Sequence, residues 1–107
     1  MREGTERQKR VAELIRQEAA RFINTHLPPK PLVTVTRADV SKDLKKSTVY
    51  FTVLPNEEEE RTHTLIKKKA HLFRENMKER LSTKSIPFFS FSIDEGEKMR
   101  QRMDEIL

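Results

Sequence analysis

Apolar residues recur at helical spacing through the first quarter of the chain. Val11, Leu14, Ile15, Ala19, Phe22 and Ile23 fall on one stripe of a 3.6-residue repeat. Thr5 followed by Gln8 has the pattern of a capping box, in which each side chain satisfies a backbone donor of the other. A helix is therefore predicted over about 5–26, ending before Pro28, Pro29 and Pro31, which cannot continue it. The period then falls to two. Leu32-Val33-Thr34-Val35-Thr36 is alternating and β-branched, so a strand is predicted to about Val40. After a polar link, Ser41 to Lys46, a second strand covers Thr48 to Leu54, and Pro55 closes it. Two strands with a short link form an antiparallel hairpin most economically.

Helical spacing returns with Ile66, Ala70, Phe73, Met77 and Leu81. Asn56 and Glu59 form a second capping signal, and Glu57 to Glu60 fill a first turn, where the helix dipole favours negative charge. The segment from Asn56 to Leu81 spans about 26 residues, long enough to predict a kink or break. Ser82 to Ser85 reads as a loop. Pro87 to Ile93 reads as a third strand, with Phe89, Phe91 and Ile93 on one face. Asp94 and Glu97 make a third capping pair, opening a short terminal helix that carries Met99, Met103 and Ile106. The order α-β-β-α(α)-β with a C-terminal helix predicts one α+β domain, a three-stranded sheet with helices on one face.

Composition narrows the function. Of 107 residues, 36% are charged and 35% hydrophobic, so the core is small for the chain's length. Lys and Arg outnumber Asp and Glu 22 to 17, and the net charge of +5 favours a polyanionic partner. With no cysteine there is no disulfide, thiolate metal site or Cys nucleophile. No apolar stretch follows Met1-Arg2-Glu3-Gly4-Thr5, and no run is long enough to span a bilayer, so a cytoplasmic protein without a membrane partner is expected.

Candidate chemistry is sparse. His63 and His71 are eight residues apart, too far along a helix to share an ion, and His26 stands alone. Consecutive glutamates on a helix point in different directions, so Glu57 to Glu60 read as a solvated helix start rather than a metal site. Gly4 and Gly96 are the only glycines, which excludes a P-loop, a dinucleotide-binding turn and the G-x-x-G loop of ordinary KH domains. No enzyme, cofactor, metal site or small-molecule substrate is expected. The candidate RNA-binding residues lie elsewhere. Lys67, His71, Arg74 and Lys78 follow an i, i+4, i+7, i+11 stripe without an acid in it. Arg10 and Arg21 flank the core face of the first helix, and Lys42, Lys45 and Lys46 sit on or beside the hairpin link. Each has a plainer reading, as solubilising charge on a helix or a solvated turn. Only Tyr50 and Phe88 are placed to face outward from the strands. Recognition of folded RNA shape and backbone is therefore favoured over a platform for splayed bases.

These residues also resemble a known family. Arg10-Val11-Ala12-Glu13-Leu14-Ile15 is similar to the R-V-A-x-x-I opening helix of ribosome-binding factor A. Leu32 to Thr36 followed by Val40-Ser41-Lys42-Asp43-Leu44 resembles its V-T-V-T and V-S-[RK]-D-L segments, the latter being the most specific. Thr48 to Leu54, Pro87 to Asp94 and Arg102 to Leu107 resemble its K-V-Y-V-x-x-L strand, its P-x-L-x-F-x-x-D strand and its R-I-x-x-L-L tail. The resemblance implies a single KH-like domain of type II, α-β-β-α-α-β. It further implies binding to immature small (30S) ribosomal subunits, assistance in 16S rRNA maturation, often linked to growth in the cold, and no enzymatic activity. A monomer is expected. Two departures stand out. The family's Ala-x-Gly kink is replaced here by Lys69, Ala70 and His71, and its D-P-R lead into the first strand is reduced to Pro28, with Pro29 and Pro31 following. An RNA-binding module acting away from ribosomes, and a protein-interaction domain for an acidic partner, remain as alternatives.

Overall fold

The computed structural model describes residues 5–106. Met1 to Gly4, with the first glycine, and Leu107 of the C-terminal motif lie outside them. Helix α1 spans Glu6–His26, and both halves of the Thr5–Gln8 capping box are formed. Its buried positions include Ile15, Ala19, Phe22 and Ile23, the stripe that the periodicity marks. Strands β1 (Leu32–Val40) and β2 (Lys46–Leu54) pair antiparallel, and β3 (Phe88–Ile93) lies parallel to β2, giving the order β1-β2-β3. Helices α1, α2 (Glu59–Lys68) and α3 (Ala70–Met77) cover one face of this sheet, and α4 (Glu95–Ile106) follows β3.

The core lies between these layers. Val49, Phe51 and Val53 of β2 meet Ile15, Phe22, Ile66, Phe73 and Met77 from the helices. Phe73 is wholly buried and contacts Phe22, Phe89 and Phe91 edge-on, at centroid distances of 5.2, 4.8 and 5.7 Å. His63 donates from Nε2 to the Phe91 carbonyl at 2.7 Å, and His26 from Nδ1 to the Phe22 carbonyl at 3.0 Å, so both rings serve the fold.

Two departures from the sequence reading have clear causes. The chain enters the second helical region through a 3₁₀ turn, Asn56–Glu58, so Asn56 lies inside the first turn rather than ahead of it. Its side chain caps nothing, and α2 begins at Glu59 without a side-chain cap. The long helical segment breaks at Lys69, as its length predicted, but loses α-helical form after Met77, short of the expected end at Leu81. Lys69 has φ −97° and ψ 4°, a conformation open to any L-residue, so the break forms with no glycine present.

The β1–β2 turn explains why V-S-K-D-L is the most specific motif. Leu44 has φ 61° and buries its side chain. The Ser41 hydroxyl accepts from the Lys45 and Lys46 N–H groups at 3.1 and 3.0 Å, while donating to Asp43 at 2.6 Å. Asp43 also accepts from the Lys45 N–H at 3.0 Å. Ser41's bond and the Lys45 amide hold the Asp43 carboxyl below its ordinary range. A left-handed leucine costs roughly 1 kcal/mol or more. This net of bonds and the burial of the side chain offset that cost.

A β-bulge at Thr36 organises the middle of β1 and ties it to the end of β3. Val35 pairs with Phe51 and Arg37 with Tyr50, leaving Thr36 as the extra residue. Its hydroxyl bonds Asp94, the residue joining β3 to α4. Asp94 also accepts from the Glu97 N–H at 3.0 Å and lies 3.6 Å from Arg37. Burial pushes this carboxyl up, but the bonds from Thr36 and Glu97 and the nearby Arg37 charge more than offset it, and it stays below its ordinary range.

Candidate nucleic-acid interface

The strands give the domain two distinct ends. At the turn end three segments are tied together. The Gln8 side chain of α1 donates to the Val40 carbonyl at 2.9 Å. The Phe88 N–H donates to the Lys45 carbonyl at 2.9 Å, bringing the segment before β3 against the β1–β2 turn. The first turns of α1 and the loop after α3 then line a shared cleft, with Arg7 and Arg10 on one side and Ser82 and Thr83 on the other. The far end carries Glu57, Glu58, Glu59 and Glu60 after β2, and Asp94, Glu95 and Glu97 after β3, several of them paired with Arg61, Lys98 and Arg100.

The candidate cations divide accordingly. Arg10, Lys42, Lys45 and Lys46 meet at the turn end, all exposed, and none forms an ion pair among the described residues. Arg7 and Lys84 join them there, although the sequence reading did not include them. Helical spacing could have found Arg7, one turn before Arg10. Nothing in the sequence places Lys84 nearby, because only the Phe88–Lys45 pairing fixes where its loop lies.

The stripe on the second helical region is not continuous. Lys67 and His71 are exposed and stand on opposite sides of the Lys69 break. Arg74 is turned inward: Nε donates to the Pro87 carbonyl at 3.1 Å and an Nη to Ile86 at 3.0 Å, while the guanidinium lies 4.2 Å over the Phe88 ring. Lys78 pairs with Glu75 at 3.0 Å, and its bond holds that carboxyl below the ordinary range. On α1, Arg21 lies 3.4 Å from the buried Glu18, which also sits 3.8 Å from Arg80. The geometry therefore commits Arg74 to the loop before β3, and Arg21 and Lys78 to intramolecular pairs. Lys67, His71 and the residues of the turn end are the candidates left most open to an external anion.

The outer sheet face matches expectation in pattern. Phe88 is 67% exposed, and Tyr50 carries the Arg37 guanidinium 3.8 Å from its ring centroid. Both outward rings are thus already stacked on arginine. Among the described residues no group of three His, Cys, Asp or Glu side chains could hold a metal ion, and no helix is long and apolar enough to cross a membrane.

Comparison with known proteins agrees with this architecture. The family model described as ribosome-binding factor A matches residues 7–107. Ribosome-binding factor A of Macrococcus caseolyticus is 33% identical over 108 residues, covering 94% of this chain and 94% of that protein. The crystal structure of ribosome-binding factor A from Thermus thermophilus superimposes with a TM-score of 0.70 at 20% identity, covering 78% of this chain and 92% of that one. Coordinates of the Thermus thermophilus factor fitted into a cryo-EM map of its complex with 30S superimpose with a TM-score of 0.62 at 19% identity, covering 74% and 86%. The fold is KH-like, as the resemblance implied. With the match running over residues 7–107, from α1 through α4, the chain belongs to the ribosome-binding factor A family.

Proposed function

We propose that this chain binds immature small ribosomal subunits through its turn end and assists maturation of their 16S rRNA. Family membership supports the choice of partner, as does the fold shared with a factor whose coordinates were fitted into a 30S complex. The observation that carries the surface assignment is the convergence of cations from three segments, Arg7 and Arg10, Lys42, Lys45 and Lys46, and Lys84, at one end of the sheet, none of them in an ion pair among the described residues. Charge gathered in this way grips phosphates and releases their counterions, whereas the same residues spread among acids would not. Lys67 and His71 extend the contact along the helical side. The factor acts by preference: it binds one arrangement of the RNA more tightly than another and shifts the population by that difference alone. It works as a cytoplasmic monomer, as a binding protein rather than a catalyst.

Sedimentation through sucrose gradients tests this. The protein is expected in the small-subunit fractions at low and moderate salt, and recovery only at the top of the gradient would overturn the proposal. With about four phosphates neutralised, the log–log dependence of affinity on salt has a slope near −3 to −4.

A further inference from the structure

The turn end holds more than a field of charge. Between the first turns of α1 and the loop after α3 lies an open cleft of about 320 Å³. Arg7 and Arg10, three residues apart on one helix face, stand on its rim, and neither has an ion pair among the described residues. Ser82 faces them from the other wall, its hydroxyl without a partner among the described residues. Its apolar lining comes from Val11, Leu14 and the buried Leu81. Guanidinium groups bind phosphate oxygens through paired, directional N–H bonds, and a serine hydroxyl adds another donor. Apolar side chains beside such donors suit a sugar rather than a free, fully hydrated ion.

We infer that this cleft is a seat for one backbone phosphodiester of RNA, clasped by Arg7 and Arg10 with Ser82 opposite and its sugar against Leu14 and Leu81. The inference rests on the reading of the chain as a small-subunit binder, and gives that reading one fixed point. Its position is set by structure. The Thr5–Gln8 cap and the bond from Gln8 to Val40 fix the start of α1, and the burial of Leu81 fixes the loop.

Two measurements on the full chain test it. In the first, binding to purified small subunits is followed across a salt series for wild type, R7Q/R10Q, S82D and the far-end control R61Q/R100Q. R7Q/R10Q is expected to bind about tenfold more weakly, with a slope shallower by about 1 because one phosphate contact is lost. S82D keeps both arginines but places a carboxylate opposite them, and is expected to show the same loss. Circular dichroism establishes that each variant is folded. In the second, amide resonances of Arg7, Arg10, Ser82 and Thr83 are followed while a short RNA hairpin, poly-glutamate of matched charge or inorganic phosphate is added. The hairpin is expected to move them at the lowest concentration. An equal response to poly-glutamate overturns the nucleic-acid assignment, and so does saturation by inorganic phosphate below the hairpin's range. Normal subunit binding by R7Q/R10Q and S82D overturns the cleft while leaving the ribosomal reading standing. Failure of the wild type to bind subunits overturns that reading instead, and the hairpin titration then decides the cleft alone: shifts uphold it and their absence sinks it.

Discussion

Replacing Arg74 by alanine separates a residue that builds the surface from one that touches the partner. Its guanidinium donates to the Pro87 and Ile86 carbonyls and covers Phe88, so it anchors the segment that leads into β3. A hydrogen bond from a charged group contributes about 1.5–3 kcal/mol, but these two share one partly buried side chain, so about 2 kcal/mol is a fair joint value. The ring contact adds about 0.5–1 kcal/mol. R74A should therefore lose about 2–3 kcal/mol of a stability that is roughly 5–15 kcal/mol for a domain of this size. With 4–8 °C per kcal/mol for about 100 residues, the midpoint of thermal unfolding should fall by roughly 10–20 °C. R74K should recover only part of this, since an ammonium cannot fork to two carbonyls. The paired assay is subunit binding across a salt series below the melting range. There R74A should keep the wild-type slope, because no phosphate contact is removed. A variant that melts with the wild type while its slope becomes shallower by about 1 would refute the reasoning and return Arg74 to the RNA contact.

Other outcomes follow from the same geometry. F73A removes a fully buried ring from the junction of α1, α3 and β3 and should cost about 3–5 kcal/mol, read from urea unfolding; a loss under about 1 kcal/mol would contradict this packing. D94N should cost about 1–2 kcal/mol at neutral pH by weakening the bond to Thr36, the pair with Arg37 and the start of α4. Because the folded Asp94 value is depressed, its contribution is full above the ordinary carboxylate value of 3.8 and is lost as pH falls through the lowered one. Unfolding curves of wild type and D94N should therefore converge below about pH 4, and a gap unchanged in acid would contradict the assignment. K69G should destabilise by about 0.5–1 kcal/mol, since Lys69 already occupies a conformation open to any residue and glycine adds only unfolded-state freedom. A gain in melting temperature would mean that the break is strained.

What the sequence could reveal depended on how local the cause was. The Thr5–Gln8 box, the α1 stripe and the alternation of β1 each depend on neighbours a few residues apart, and each appears as read. The 3₁₀ entry at Asn56 was not legible, because how the chain leaves β2 decides whether that side chain can reach an amide. The bulge at Thr36 left only a faint trace, a one-residue change of phase between Val33 and Val35 and the later Ala38 and Val40, and the pairing with Phe51 and Tyr50 identifies the extra residue. The interface divides in the same way. Individual cations were visible, including Arg10, Lys42, Lys45 and Lys46. Their convergence was not, since it rests on contacts such as Gln8 with Val40, 32 residues apart. Arg74 shows the converse: it has the right spacing for a surface stripe, yet two carbonyls close in space claim its donors.

The separation of glutamates beyond β2 and β3 from cations at the hairpin link has a kinetic consequence. Such an arrangement behaves as a compass needle in the field of a polyanion. Torque rotates the molecule while it is still diffusing, so more collisions arrive with the productive side leading and the capture rate rises. At physiological ionic strength that guidance reaches only about 8 Å, and added electrolyte should slow arrival before it loosens the finished complex.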